Sequence, residues 1–268
     1  MKIILFSGNH PRHHYLIKKL YDNSLLRAVV YEEREKFIPS IPNNLNQKFI
    51  DLFSYHFKLR DESENKFFGK INLSEIDVPI IKVDKKTNGI NTSKVELFLK
   101  KYSCDIALSY GVRILENNIL SLLPNEKWNI HGGLSPWFKG AITNFWPSYF
   151  LKPQYTGVTL HYLSEKIDAG EIIHQTSAIF QKGDGLHDLC SRTTKHFIDN
   201  FYKIIDIYND KKSLNTKKQN STGKLWLNSD WTPYHLDIIY NVYNDRIADL
   251  YLDGKIDIKK PNIFKQYE

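Results

Sequence analysis

Residues 128–136, Trp128-Asn129-Ile130-His131-Gly132-Gly133-Leu134-Ser135-Pro136 (WNIHGGLSP), decide how this chain is read. Successive side chains of a strand point to opposite faces, so a strand over residues 128–131 projects Asn129 and His131 together and turns Ile130 into the core. It ends at Gly132-Gly133, where the backbone can approach a ligand closely. Upstream, residues 105–110 (DIALSY) read as another short strand, followed by a helix to about Leu123. Residues 2–6 (KIILF), 25–31 and 78–83 (VPIIKV) are further strand candidates. Helices fall between them. Tyr15, Leu16, Leu20 and Tyr21 have helical spacing within residues 12–22, and Val95, Leu97, Phe98 and Leu99 follow an Asn91-Thr92-Ser93 cap, in a helix running to Lys101. Alternating strands and helices predict an α/β fold, a mostly parallel sheet with helices on both faces. Ligands of open α/β sheets bind at the C-terminal ends of strands, which places Asn129 and His131 at the expected active edge. From the pattern alone, the two equally suit side chains that satisfy loop backbone.

The second half changes character. A helix is expected near residues 141–150, longer strands over 156–163 (TGVTLHYL) and 171–180 (EIIHQTSAIF), and one helix over 184–208. Residues 211–224 read as a polar surface linker. From Leu225 onward, Trp226, Trp231, Tyr234, Tyr240, Tyr243 and Tyr251 supply enough ring area for a small C-terminal appendage. Residues 226–235 (WLNSDWTPYH) are expected to pack that piece or to form the face of a homodimer. The division is thus a main α/β unit over 1–208 and an extension over 209–268. Residues 32–76 are polar and mixed, and no element is assigned to them.

Composition narrows the classes. With 41% hydrophobic and 25% charged residues in 268, the chain is an ordinary globular protein rather than a disordered one. Its two cysteines, Cys104 and Cys190, cannot build a disulfide framework, which points to a reducing compartment. Residues 1–7 are too short an apolar run for a signal peptide, and nothing approaches the ~20 apolar residues of a membrane span. A cytoplasmic protein is expected. The 37 Lys and Arg against 30 Asp and Glu give a net charge of +7, which favours an anionic partner or is simply scattered surface lysine. Runs such as Lys85-Lys86 and Lys217-Lys218 sit in turn-rich stretches and look solvated.

Two loops hold candidate polar groups. Residues 164–170 (SEKIDAG) present Asp168, which by turn chemistry alone is a solvated carboxylate. Residues 7–14 (SGNHPRHH) follow the first strand and open a helix, so Asn9, His10 and Arg12 are candidates for a phosphate, with a solvated turn as the alternative. The three histidines there lack Cys and carboxylate partners at ligand spacing, and no metal is expected. Ser135 lacks the strained elbow of an acyl-enzyme nucleophile.

Taken together, Gly111-Val112-Arg113-Ile114-Leu115, Asn129-Ile130-His131, Lys139-Gly140, Thr156-Gly157-Val158-Thr159-Leu160-His161 and Asp168-Ala169-Gly170 form an ordered series. In this series the chain resembles the formyltransferases that use 10-formyltetrahydrofolate, a family that includes glycinamide ribonucleotide, methionyl-tRNA and sugar N-formyltransferases. The resemblance covers about residues 105–175 closely and residues 1–104 loosely. It implies a Rossmann-like formyltransferase fold and a catalytic trio of Asn129, His131 and Asp168. It also implies a folate-binding wall of Arg113, Ile114 and Leu115 with Leu163, Ser164, Glu165, Lys166 and Ile167. His161 and Trp146 join Asn9, His10 and Arg12 as candidate substrate contacts. Within the family, the chain is longer than the compact purine enzyme needs and short for a full tRNA-binding domain. The expected acceptor is therefore the amine of a nucleotide-diphosphate-linked sugar, rather than nucleic acid or a membrane. Glycinamide ribonucleotide and methionyl-tRNA are the alternatives. The chemistry asks for the same residue types. Asn129 and a protonated His131 can stabilise the oxyanion of an attacked formyl group. Histidine suits the proton transfers at neutral pH, and Asp168 can orient or relay.

Overall fold

The structure is a computed structural model that describes residues 1–33, 38–84, 89–164, 166–220 and 223–267. The expected Glu165 contact and the Lys85-Lys86 run lie outside the described residues.

A seven-stranded sheet organises the chain. Its strands are β1 (Ile3–Ser7), β2 (Leu26–Glu33), β3 (Ile80–Asp84), β4 (Ile106–Tyr110), β5 (Lys127–His131), β7 (Gly157–Tyr162) and β8 (Ile172–Ser177), in the spatial order β3-β2-β1-β4-β5-β7-β8. β1 to β5 are mutually parallel, while β7 is antiparallel to both β5 and β8. This is the expected α/β fold with a mostly parallel sheet. The central strands β1 and β4 are buried on both faces. Leu5, Val29, Leu108, Trp128, Ile130 and Leu160 pack under α1 (Pro11–Asp22) and α6 (Leu186–Lys211). Ile4, Phe6, Val30 and Ala107 pack under α3 (Ser93–Leu99). Burial of this kind contributes about 25 cal/mol per Å² of apolar surface.

The chain moves outward in one direction through β1, β2 and β3, then restarts at β4 on the other side of β1. That reversal leaves a crevice beyond the C-terminal ends of β1 and β4. Gly111, at φ +70°, turns the chain away there, and a Cβ on it would overlap the His13 ring.

Several expected helices are shorter than the pattern predicts. The helix to Leu123 is one turn, α4 (Asn117–Leu120), and the helix near residues 141–150 is one turn, α5 (Trp146–Tyr149). Before α5, the two-residue strand β6 (Lys139–Gly140) pairs with β9 (Leu225–Trp226). The unassigned residues 32–76 contain α2 (Gln47–Phe68), a long helix capped by Asn46, whose Oδ1 accepts from Phe49 N at 3.2 Å. Its first half carries Leu52, Phe53 and Phe57 into a third core cluster. Leu236, Ile239, Tyr240 and Ile247 of the C-terminal segment join that cluster, together with Phe138, Phe145 and Trp146. The last helix is α7 (Ile247–Leu252).

Candidate active site

The cleft at the strand reversal has a volume of about 620 Å³. β5 brings Asn129 and His131 to it, the loop after β7 brings Asp168, and β7 itself brings His161. Asn129 pairs in register with Ser109 on β4 and with His161 on β7. Ser109 Oγ donates to Asn129 Oδ1 at 2.7 Å, which fixes the amide with Nδ2 toward His161 Nε2, 3.1 Å away. His161 Nδ1 donates to the Tyr162 carbonyl at 2.8 Å, so Nε2 is the acceptor of the Asn129 N–H. One N–H of the Asn129 amide is left for a ligand.

His131 Nε2 donates to the Phe138 carbonyl at 2.8 Å, and Nδ1 lies 3.3 Å from Asp168 Oδ2. Asp168 Oδ2 also accepts from Gly140 N at 2.9 Å, and Oδ1 lies 3.5 Å from His161 Nε2. Gly140, at φ +94°, has no alternative here, because a Cβ would overlap the Trp226 carbonyl. Asp168 sits at φ +48°, a left-handed conformation that Asp tolerates better than most residues. The carboxyl is thus aimed by a turn that an ordinary loop would not adopt.

Burial pulls the His131 imidazole below its ordinary pKa, against the opposing influence of Asp168 and the Phe138 carbonyl. Burial also works against ionisation of Asp168. His131 and the Gly140 N–H outweigh it and hold the carboxyl well below the usual carboxylate range. The pair is a carboxylate facing an imidazole whose basicity burial lowers and the carboxylate raises. With Nε2 donating to the Phe138 carbonyl, a proton on Nδ1 makes the contact with Asp168 a charge-assisted hydrogen bond. The pair is built to take up one proton.

Arg113, Ile114 and Leu115, with Leu163, Ser164, Lys166 and Ile167, line the same cleft. The Arg113 side chain is committed to a buried carboxylate: Nε donates to Glu32 Oε1 at 2.6 Å, and its backbone N to Oε2 at 2.9 Å. This leaves the segment's backbone and the 62% exposed Ile114 to face a ligand. His10 and Arg12 line the cleft, Arg12 paired with Glu64 of α2, but the turn before α1 keeps Asn9 out of its wall. Trp146 does not reach the cleft. It is buried and stacked at 4.3 Å on Trp226, and Phe145 and Trp226 occupy the wall instead. Sequence reasoning passed over Ser109, although a lone Ser in an apolar strand was a usable signal, and over Arg60 and His56 of α2, which also line the cleft. His14 turns away to the Tyr31 hydroxyl at 2.9 Å. Among the described residues, no group of three or more His, Cys, Asp or Glu is placed to hold a metal ion. Nor is any described helix long and apolar enough to cross a membrane.

A sequence profile of the formyl transferase family matches residues 1–202. The chain belongs to the formyl transferase family. A methionyl-tRNA formyltransferase from Prochlorococcus marinus (strain MIT 9215) is 31% identical over 132 residues, which is 47% of this chain and 40% of that relative. The match thus spans two-fifths of the relative's length. Among solved structures, a 4-N formyltransferase from Francisella tularensis aligns over 86% of this chain and 77% of its own, at 21% identity and a TM-score of 0.53. The formyltransferase PseJ from Anoxybacillus kamchatkensis, in complex with UDP-4,6-dideoxy-4-formamido-L-AltNAc and tetrahydrofolate, aligns over 93% and 97%, at 18% and 0.51. A phosphoribosylglycinamide formyltransferase from Anaplasma phagocytophilum aligns over 85% and 98%, at 17% and 0.56. At these identities the structural likeness establishes the fold that this chain shares with them.

Proposed function

We propose that this formyl transferase moves a formyl group from 10-formyltetrahydrofolate to the amine of a nucleotide-diphosphate-linked amino sugar. The observation that carries the reading is the meeting of Asn129 and His131 of β5 with Asp168, from the loop after β7, on one cleft at the strand reversal. Val112, Ile114, Leu115, Leu120, Leu163 and Ile167 give that cleft apolar walls beside the trio, a fit for a flat heteroaromatic ring. When bound, the folate supplies an activated formyl carbon. The remaining Asn129 N–H then meets the carbonyl oxygen as it gains charge, and a donor so placed contributes roughly 3 kcal/mol. The attacking amine gives up one proton as its nitrogen bonds the formyl carbon. His131 Nδ1 accepts that proton, Asp168 stabilises the imidazolium, and the same proton is returned to the departing nitrogen. On the acceptor side, Arg12 and Arg60 suit a phosphate, and Leu225, Trp226, Asn228 and Trp231 of the C-terminal segment close the wall. The sugar N-formyltransferases among the structural neighbours support that choice of acceptor.

The test incubates the protein with 10-formyltetrahydrofolate and a panel of amino-sugar nucleotides, glycinamide ribonucleotide and methionine-charged initiator tRNA, and reads a mass gain of one CO. Turnover of an amino-sugar nucleotide is expected. Turnover of either other acceptor alone would reassign the substrate, and no turnover on any of the three would end the reading. In the same assay, Ser109→Ala is expected to lower kcat about tenfold. It frees the Asn129 amide to turn over and loses about one hydrogen bond's worth of orientation.

A further inference from the structure

We propose that Gln175 is a positioning residue for formyl transfer, holding the loop that carries His131, and that the C-terminal tail in turn holds Gln175. The inference rests on the reading of His131 as the acid–base group. His131 is the last residue of β5, so its direction depends on residues 132–135 that follow. His131 pairs in register with Thr159 on β7, and Thr159 pairs with Gln175 on β8, so the three form one row across the sheet. Thr159 Oγ1 donates to the Gly133 carbonyl at 2.7 Å and accepts from Ser135 N at 3.0 Å. Gln175 Nε2 donates to the Ser135 carbonyl at 2.6 Å and reaches Thr159 Oγ1 at 3.3 Å. Its Oε1 accepts from Phe264 N at 3.0 Å, and its own backbone N donates to the Phe264 carbonyl at 2.7 Å. Gln175 is 1% exposed and Ser135 and Thr159 are 0% exposed, so none of these groups can turn to water instead.

The tail is anchored on the same strand. Gln266 N donates to His174 Nδ1 at 3.1 Å, Gln266 Nε2 donates to the Ile173 carbonyl at 2.6 Å, and the Tyr267 ring stacks on His174 at 4.6 Å. A continuous line of hydrogen bonds therefore runs from residue 264 to the loop behind the imidazole. Gln175 does not line the cleft, and its effect passes through the direction of His131.

Two variants of the full chain test this. Gln175→Met keeps the length of the side chain and removes its hydrogen bonds. Phe264→Pro removes the single N–H on Oε1 and leaves the carbonyl that Gln175 N uses. Both are followed by kcat, KM, thermal melting and an NMR titration of the His131 ring, its resonance assigned by its loss in His131→Gln. Small misplacements of reacting groups cost up to ~100-fold, so Gln175→Met is expected to lower kcat roughly 10- to 100-fold and Phe264→Pro about 3- to 10-fold. KM should stay within about threefold for both substrates, because binding contacts are untouched. The His131 titration midpoint should move in both variants. If Gln175→Met fails to fold, Phe264→Pro decides alone. A kcat within twofold of wild type in a folded variant, or an unmoved His131 titration, overturns the proposal. The titration needs no substrate, so it still decides the matter should the wild type prove inactive on every acceptor.

Discussion

Asp168→Asn is expected to lower kcat for formyl transfer by roughly 10³-fold, the middle of the range for a lost acid–base partner. The change is nearly isosteric. An Asn oxygen can still accept from Gly140 N, so the loop should keep its conformation and KM for the folate should move little. The negative charge opposite His131 Nδ1 is what disappears. Asp168 is the largest influence opposing the effect of burial on that imidazole. Without it the ring's pKa falls further, and an imidazolium formed during the reaction has no counter-ion. Two readouts follow with definite signs. The plateau rate drops, and the acidic limb of the pH–rate profile moves to lower pH, because a weaker base stays neutral to lower pH. A variant that keeps more than a tenth of wild-type kcat, or whose acidic limb moves upward, would remove Asp168 from the mechanism.

Acid should unfold the protein steeply between pH ~6.5 and ~4. Burial, then Lys265 and His196, pushes His174 down to about 4. Burial, then Arg60, pushes His187 down to about 3. His56 is lowered too, by burial and then by His187, from which its Nδ1 lies 3.2 Å. In the unfolded chain each would titrate near 6.5. A histidine whose folded pKa is depressed is folded neutral, so below pH 6.5 the unfolded state takes up the proton first. Stability is fully present above 6.5 and is lost as pH falls toward the folded value. Each such group costs at most about 1.4 kcal/mol per pH unit across that window, hence roughly 3 kcal/mol for His174 by pH 4. His174→Asn isolates one of them, since the Asn oxygen can replace Nδ1 as acceptor for Gln266 N. Urea unfolding at pH 6.5, 5.5 and 4.5 should show the variant losing about 1 kcal/mol less per pH unit than wild type. Parallel curves would show that His174 binds its proton equally well in both states.

The parallel half of the sheet was legible because strands buried on both faces are short apolar runs, and residues 2–6, 105–110 and 128–131 look like nothing else. The Asn129/His131 pairing followed from strand alternation alone. α2 escaped for a physical reason: its apolar positions run to Leu59 and resume only at Phe67 and Phe68, and the stretch between carries Arg60, Ser63 and Glu64. Ser63 and Glu64 are buried, and Arg60 and Glu64 face the cleft, so the amphipathic pattern breaks where the helix turns functional. The meeting of Asp168 with His131 was reachable through family resemblance, whereas strand alternation and loop composition leave it open. It depends on a left-handed residue and on the Gly140 N–H, neither of which leaves a periodic trace. Nor does local sequence show that Trp146 is stacked away behind Trp226, a partner far along the chain.

The outer edge of β8 is covered by two late segments, Lys217, which exchanges both backbone hydrogen bonds with Ile172, and the stretch from Phe264 to Gln266. A purification handle or fluorescent fusion attached after residue 267 would pull on that covering and, through it, on the catalytic loop. Attached ahead of Met1, it would emerge near the start of β1, at the opposite end of the sheet from the ligand cleft, and is the safer choice for kinetic work.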